Sequence, residues 1–555
     1  NGTTWFDRTN YFENVPTQAL DLALYLESDR MGWLLGAVTQ AKLDAQRGVV
    51  QNEKRQGDNA PFGLTGYATL KALFPEGHPY HHDSIGSMAD LNGASLADVQ
   101  SWFRANYGPN NAVLVLAGDI DAKSAKPLVE KYFGPINRGP EVKRLDAPVP
   151  RWTTERRETL YDKVPTPRVS LHWPVPGRLD RAAVLTDVAL TVLAGGSSSR
   201  LYNELVRTKK LAVSVSGGVQ AFEKVSMAEI EVTLAPGVKP ETVEAAVKQA
   251  LAEFTAKGPT ADEVSRVATR NVAGTIRGLE AVGGFGGKAV ALAEGAVYAG
   301  DPEQYRTELA WYANATPADV QAAARAWLTT SAYVQTVLPG ERPAAEDVPP
   351  PPKVVASTPP AKGPARIAEP AVGQPPLLQW PAIERFTLAN GLKVELARRT
   401  TVPLVRMLLS VEGGRAADER GSLGIQSMAL NLMDEGAAGR SGTDIAELRE
   451  RLGAGIGASP GMDRTRISLD ALKSNLGASL ALFADIVQRP DYPPAEIERV
   501  RGQMLTALQQ EASNPIGIAQ RILSPALYGP AHPYGAPPSG LGTADSVKAI
   551  TRDQL

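Results

Sequence analysis

The feature that most constrains this chain is a duplication. Asp7-Arg8-Thr9 recurs as Asp463-Arg464-Thr465, 456 positions later, and Leu22-Ala23-Leu24-Tyr25 recurs as Leu480-Ala481-Leu482-Phe483 at 458. Arg47-Gly48, Gln56, Pro61, Gly63, Ala72-Leu73 and His78-Pro79-Tyr80 recur as Arg501-Gly502, Gln510, Pro515, Gly517, Ala526-Leu527 and His532-Pro533-Tyr534, all at 454. Ala89-Asp90 matches Ala544-Asp545 at 455. Ordered matches at a nearly constant offset mean that the two regions build the same unit twice. The later copy has a stretch, Phe386 to Ile456, ahead of the part that matches Asn1, and it stops at Leu555 where the first copy runs on. We therefore expect this chain to be the middle of a longer protein, and it opens without an initiating Met or a charged-then-apolar leader.

Around that repeat the pattern mixes strands and helices. Gln18 to Asp29 is an apolar-striped helix, Lys42 to Gln56 a second, and Asp98 to Tyr107 a short third. Ala112 to Ala117 (A-V-L-V-L-A) has the composition of a buried strand, ended by Gly118-Asp119. The alternation resumes with a strand at Val169 to Trp173, a helix at Arg181 to Leu193, paired strands at Val213 to Val219 and Ala228 to Leu234, three alanine-rich helices and a strand at Ala332 to Leu338. From Pro343 to Pro381 there are 12 prolines in 39 residues, too many for a sheet or helix to continue, so this is a semi-extended linker. Phe386 to Ala397 then forms a hairpin on Asn390-Gly391, followed by a strand at Val405 to Val411. The domains are therefore 1–145 (a first subdomain), 146–341 (a second), 342–381 (the linker) and 382–555 (the repeated first subdomain).

Bulk properties exclude several functions. A net charge of −2 gives no electrostatic footprint for nucleic acid. No apolar run reaches the ~18 residues a membrane span requires. There is no cysteine, which removes thiol nucleophiles, thiolate metal sites and disulfides together, and only five histidines remain for metal or acid–base work.

A set of motifs in fixed order carries a family resemblance: N-G-T-T-W-F-D-R-T-N-Y, L-A-L-Y-L-E-S-D-R-M, R-G-V-V-Q-N-E, G-H-P-Y, Y-G-P-N-N-A-V-L-V-L-A-G-D and Y-F-G-P-I in the first copy, and G-G-S-S-S-R-L beyond it. Together they resemble the pitrilysin/insulinase family of zinc metallopeptidases over the whole chain except the linker. The resemblance implies an α+β fold of repeated metallopeptidase-like α/β subdomains, with antiparallel-rich mixed sheets flanked by helices and tandem halves closing like a clam around a peptide substrate. It also implies zinc held by an inverted H-x-x-E-H motif, whose glutamate acts as general base, with a distal glutamate about 76 residues further on. In R-G-V-V-Q-N-E that distal position is Glu53, the one metal ligand this chain is expected to supply. At Gln46 several relatives carry an acidic residue, so no supporting role is expected there.

No H-x-x-E-H occurs in the chain. In the second copy Ser427, Leu430 and Asn431 stand in place of His, Glu and His, and Ala507 in place of the distal Glu; Asn431 to Ala507 spans 507 − 431 = 76 positions, the family spacing. The second copy thus reads as non-catalytic, and the first copy's motif is expected before Asn1, leaving no catalytic residue in this chain. An Arg/Tyr pair that binds substrate backbone in the family's inactive half has Val206 and Val213 at the equivalent first-half positions. By resemblance, Asn1 to Tyr11 is a sheet-edge strand beside the zinc, with Asn1, Gly2 and Thr3 pairing to substrate main chain. Exported bacterial relatives point to a periplasmic or secreted location, and the resemblance leaves homo- or hetero-oligomers open. The rival reading is a catalytically inactive scaffold or partner subunit of the same fold.

Three other motifs take plainer readings. His78-Pro79-Tyr80 is repeated in the copy without chemistry, which makes it a structural loop, with His81 and His82 exposed beside it. Gly283 to Lys288 lacks the P-loop frame and reads as a break in a helix. Ser197-Ser198-Ser199 lacks the nucleophile-elbow frame and reads as a cap on the helix at Arg200.

Overall fold

The structure is a computed structural model that describes residues 1–342, 366–374, 377 and 380–555; most of the proline-rich linker lies outside the described residues. The chain opens on two short antiparallel strands, β1 (Gly2–Thr4) and β2 (Thr9–Tyr11), paired with each other in the register Gly2↔Tyr11. The single edge strand expected over Asn1 to Tyr11 is thus a hairpin, turned at Trp5 by a bond from its N–H to the Arg8 carbonyl. Helices Leu20–Gly32, Gln40–Asn59 and Leu96–Asn106 follow, close to the expected spans, with a further helix, Thr65–Leu73, that the sequence reading did not assign. The strand expected at Ala112 to Ala117 is absent: those residues pair with nothing among the described residues, and Val113 and Leu114 stay largely exposed. Their apolar run has strand composition, but a strand exists only where a partner takes up its backbone groups.

The second subdomain holds the largest core. Strands β3 (Arg156–Asp162), β4 (Arg168–Pro176), β5 (Ala212–Gln220), β6 (Val225–Leu234) and β7 (Tyr333–Pro339) form one sheet in the order β3-β7-β4-β6-β5, with only β3 and β7 parallel. The helix Arg181–Ala194 lies against it, with residues 183–186 and 188–194 all buried. Trp173 on β4 is fully buried, and its indole N–H donates to the Thr329 carbonyl at 2.8 Å, so burying the ring leaves no polar group unpaired. The first subdomain docks through Leu70, Leu73, Phe74 and Tyr80, which pack with Phe222, Val225 and Tyr333 of the second.

After the linker come the hairpin β8 (Ile383–Thr387)/β9 (Lys393–Ala397), strand β10 (Leu404–Glu412), a two-residue pair β11 (Gly436–Ala437)/β12 (Arg440–Ser441), and strands β13 (Gly455–Pro460) and β14 (Arg464–Leu472). The hairpin turn requires the glycine expected there, since Gly391 sits at φ +86°. Strands β10, β14 and β13 form an antiparallel sheet in that order.

The duplication is visible bond by bond. Ala458↔Ile467, Ser459↔Arg466 and Pro460↔Thr465 in β13/β14 match Gly2↔Tyr11, Thr3↔Asn10 and Thr4↔Thr9 in β1/β2, every position shifted by 456. The hydroxyl of Tyr80 donates to Asp7 Oδ1, and that of Tyr534 donates to Asp463 Oδ1. Arg47 donates to the carbonyls of Leu91 and Ala94, and Arg501 to those of Val547 and Ile550. That clamp corrects one detail of the alignment. The helices Met88–Gly93 and Ala544–Ala549 begin after the capping residues Ser87 and Thr543, so the offset there is 456, not 455.

The two halves meet through charge. Glu450 accepts from Ser198 at 2.8 Å and from Arg266 at 2.8 Å, Arg451 forks onto Asp262, and Glu435 lies between Arg207 (2.8 Å) and Arg499 (2.7 Å). Ser198 therefore bridges the halves, and Ser199 stands at the start of the helix expected at Arg200, its carbonyl accepting from the Asn203 N–H at 3.1 Å while its hydroxyl donates to the Gly196 carbonyl. Beyond it the chain winds into a π-helix, Tyr202–Thr208.

Candidate metal-ligand face

Glu53 lies in the helix Gln40–Asn59, which is capped by Thr39, whose hydroxyl accepts from the Lys42 N–H. Arg47, Gln51 and Lys54, at i, i+4 and i+7, form its buried side, an unusual one because every member is polar. Each is satisfied. Arg47 holds the Leu91 and Ala94 carbonyls at 2.8 and 2.6 Å, Gln51 donates to Asn92 Oδ1 at 2.6 Å, and Lys54 donates to Tyr67 Oη at 3.0 Å. Burial works to lower the Lys54 pKa, but its bonds to Tyr67 and Asp58 outweigh it, and the ammonium is held above its ordinary range. A polar side so fully bonded fixes the rotation of the helix about its axis. The opposite side, with Gln46, Val49 and Glu53, faces solvent, and Val49 is 57% exposed.

The second copy shows what belongs on that side. At the offset of 454, Leu43, Gln46, Val50 and Glu53 correspond to Ile497, Val500, Met504 and Ala507 of the helix Pro494–Ser513. Ile497, Val500 and Met504 are buried in one cluster with Met428 and Leu432, from the helix Ile425–Leu432 that also carries Ser427, Leu430 and Asn431. The face that bears Glu53 in the first copy is therefore the face that packs on the motif-position helix in the second. In the first copy no described helix covers it, and Gln46 and Glu53 are exposed.

As a metal site the face is incomplete. Among the described residues no three His, Cys, Asp or Glu side chains converge on one point. Zinc in a protein takes three or four ligands, so a single carboxylate does not fit it, and no hydrolytic step can be derived from these residues. The histidine cluster does not supply the rest. His78 is buried with Nδ1 accepting from the Tyr80 N–H, stacks on Phe74, and is matched by His532 on Tyr534 and Tyr528. His82 is exposed as expected, whereas His81 is half-buried with Nδ1 bonded to the Phe74 carbonyl. Val206, at one Arg/Tyr-pair position, is fully buried in the π-helix. Gly283 to Gly287 breaks the chain between the helices Ala261–Gly278 and Lys288–Ala299, as expected.

Two family models match the chain: "Peptidase M16 inactive domain" over residues 93–271 and "Insulinase (Peptidase family M16)" over residues 393–532. The chain belongs to the insulinase/pitrilysin family, peptidase family M16. Among its curated relatives, Zinc protease PqqE of Helicobacter pylori is 30% identical over 217 residues, 38% of this chain and 48% of that protein. Uncharacterized zinc protease ML0855 of Mycobacterium leprae is 30% identical over 288 residues, 50% of this chain and 62% of that one. The chain thus spans about half to three-fifths of the length of these M16 relatives. Solved structures share the fold. A protease from Helicobacter pylori aligns with TM-score 0.55 at 24% identity, covering 61% of this chain and 81% of that one. The periplasmic protease PqqL from Escherichia coli aligns with TM-score 0.51 at 16% identity, covering 100% of this chain and 64% of that one. The M16 fold therefore runs through both halves, in the mixed α/β, clam-shaped arrangement that the sequence led us to expect. The "inactive domain" match falls outside the helix that carries Glu53.

Proposed function

We propose that this chain is the central part of a zinc endopeptidase whose first half is catalytic and whose second half is not, acting on peptides or small unfolded proteins in a closed chamber. In this reading Glu53 is the distal zinc ligand, completed by an H-x-x-E-H helix that precedes Asn1. The supporting observation is the correspondence of faces: Glu53 stands where Ala507 stands, on the side of the helix that in the second copy packs against Met428 and Leu432. The second copy has kept that packing with Ser, Leu, Asn and Ala at the four chemical positions, so its architecture has outlived its chemistry. The zinc, when bound, would polarise the scissile carbonyl and activate water. The strand edge of β1 at Asn1, Gly2 and Thr3 is proposed to pair with substrate main chain, as no other strand lies beside it among the described residues. The names of PqqE and ML0855 as zinc proteases agree with this assignment. The compartment proposed from the family resemblance is the periplasm.

The second reading is an inactive scaffold. A relative called Non-peptidase homolog YmxG of Helicobacter pylori, 23% identical over 154 residues, shows that such names occur in the family. Reading the coding sequence upstream of Asn1 separates the two. H-x-x-E-H with its last histidine 76 positions before Glu53 supports the peptidase, and its absence there favours the scaffold.

A further inference from the structure

Among the described residues, each of the four buried apolar clusters lies wholly within one half of the molecule. The two subdomains of the first half do share one, through Leu73, Phe74, Phe222 and Tyr333. Between the halves the cohesion is polar, and the charges are sorted. On the helix Ala261–Gly278, Arg266 donates to Glu450 at 2.8 Å and lies 3.6 Å from Glu447, and Arg270 lies 3.6 Å from Glu450. Arg277 donates at 2.8 Å to the carbonyl of Gly453, the C-cap of the helix Gly442–Leu452, so the negative end of that helix dipole also faces the arginines. On the π-helix, Arg207 donates to Thr443 at 2.9 Å and pairs with Glu435. Arg451 with Asp262 and Arg406 with Glu280 run in the opposite sense, nearer solvent.

We propose that this contact is an ionic clasp: salt releases it, and the halves then part as two folded bodies still joined by the chain between them. Screening acts on the clasp and spares the cores. The Debye length falls from about 10 Å at 0.1 M salt to about 3 Å at 1 M, while apolar burial is not weakened by added salt. The central pair is shielded, with Arg266 7% and Glu450 14% exposed, so release proceeds from the rim at Arg451 and Arg406 and needs salt well above the 0.1 M range. Parting also leaves nothing stranded. The guanidinium and carboxylate groups that separate regain water, which offsets the attraction they lose, whereas parted apolar faces would be left wet. That release would open a chamber rests on the peptidase reading above; the separation itself does not.

The chain has no cysteine, so Lys257→Cys and Glu412→Cys, exposed and one in each half, provide the only two attachment points for spin labels. Pulsed dipolar spectroscopy should give one narrow distance population at about 0.1 M NaCl. At about 1 M a longer population should appear, with the ratio of long to short raised at least about tenfold. Hydrogen exchange at the buried stretches 188–194 and 467–471 should stay slow throughout, since both halves remain folded. Glu450→Gln, and Arg451→Gln at the exposed rim, should each bring the longer population in at lower salt, and either variant alone is enough for the test. Glu395→Gln, whose partner Arg385 lies in the same hairpin, should leave the salt response unchanged. Salt-invariant distances, a longer population that appears only with loss of protection at 188–194 or 467–471, or clasp variants that respond like the parent would each overturn the proposal. No readout involves zinc or hydrolysis, so its failure and the failure of the peptidase reading are distinguishable.

Discussion

Replacing Arg47 by alanine removes the clamp that sets the rotation of the Glu53 helix. The guanidinium is 7% exposed and donates to the Leu91 carbonyl at 2.8 Å and the Ala94 carbonyl at 2.6 Å. Each is a bond from a charged donor, in the range of roughly 1.5–3 kcal/mol, and truncation strands both acceptors at the end of the helix Met88–Gly93. Taking the lower figure, because water can reach the rim of the site, gives about 3 kcal/mol, or roughly a hundredfold in the local opening equilibrium. Hydrogen-exchange mass spectrometry over residues 88–106 should show that acceleration in Arg47→Ala, while the fully buried stretch 188–194 keeps its protection. Arg47→Lys should fall between, since an ammonium cannot fork across two carbonyls. Arg501→Ala should give the same signature over 544–550, through Val547 and Ile550. Less than about threefold acceleration at either site would refute the claim that the clamp positions these helices.

His172 on β4 is buried beside Ser170, and burial, with Arg168 adding to it, lowers its pKa to about 3. It is therefore neutral when folded, and its 3.7 Å approach to Glu229 is not an ion pair. Because the unfolded imidazole takes up a proton near pH 6.5, its contribution is complete above that pH and is lost as pH falls from 6.5 toward 3, by up to about 5 kcal/mol. Urea denaturation should show a shallower pH dependence in His172→Gln over that window, and an identical slope would contradict the assignment. Glu450→Ala should destabilise the fold by about 1–2 kcal/mol in urea denaturation, because Arg266 loses its 2.8 Å partner but keeps Asp262 at 2.9 Å, and unchanged stability would show that Glu450 does not help to join the halves.

Much of the fold was legible because the chain states part of it twice. The matched tripeptides became matched bonds, Tyr80 to Asp7 and Tyr534 to Asp463, since a hydroxyl and a carboxylate that meet in one copy meet in the other. Periodicity located the buried helix Arg181–Ala194 and the paired strands β5 and β6. Two things were not legible for physical reasons. Ala112 to Ala117 has strand composition, but pairing depends on a neighbour that composition does not record. The arginine–carboxylate contacts between the halves join residues such as Ser198 and Glu450, 252 positions apart, which carry no local signal. For the candidate site, the family resemblance pointed to Glu53 as a proposed ligand, and the structure shows which face of its helix carries it. The polar stripe of Arg47, Gln51 and Lys54, which turns Glu53 outward, resembles a solvent-exposed side until its partners are seen.

The measurement that bears most directly on the central claim is zinc stoichiometry of the longest native polypeptide containing this chain, by plasma mass spectrometry, with Glu53 intact and as Glu53→Gln. The account predicts about one zinc per intact chain, and at least about tenfold weaker retention against a chelator in the variant, with peptide hydrolysis falling in step. Equal zinc retention and equal hydrolysis in the two proteins would contradict it.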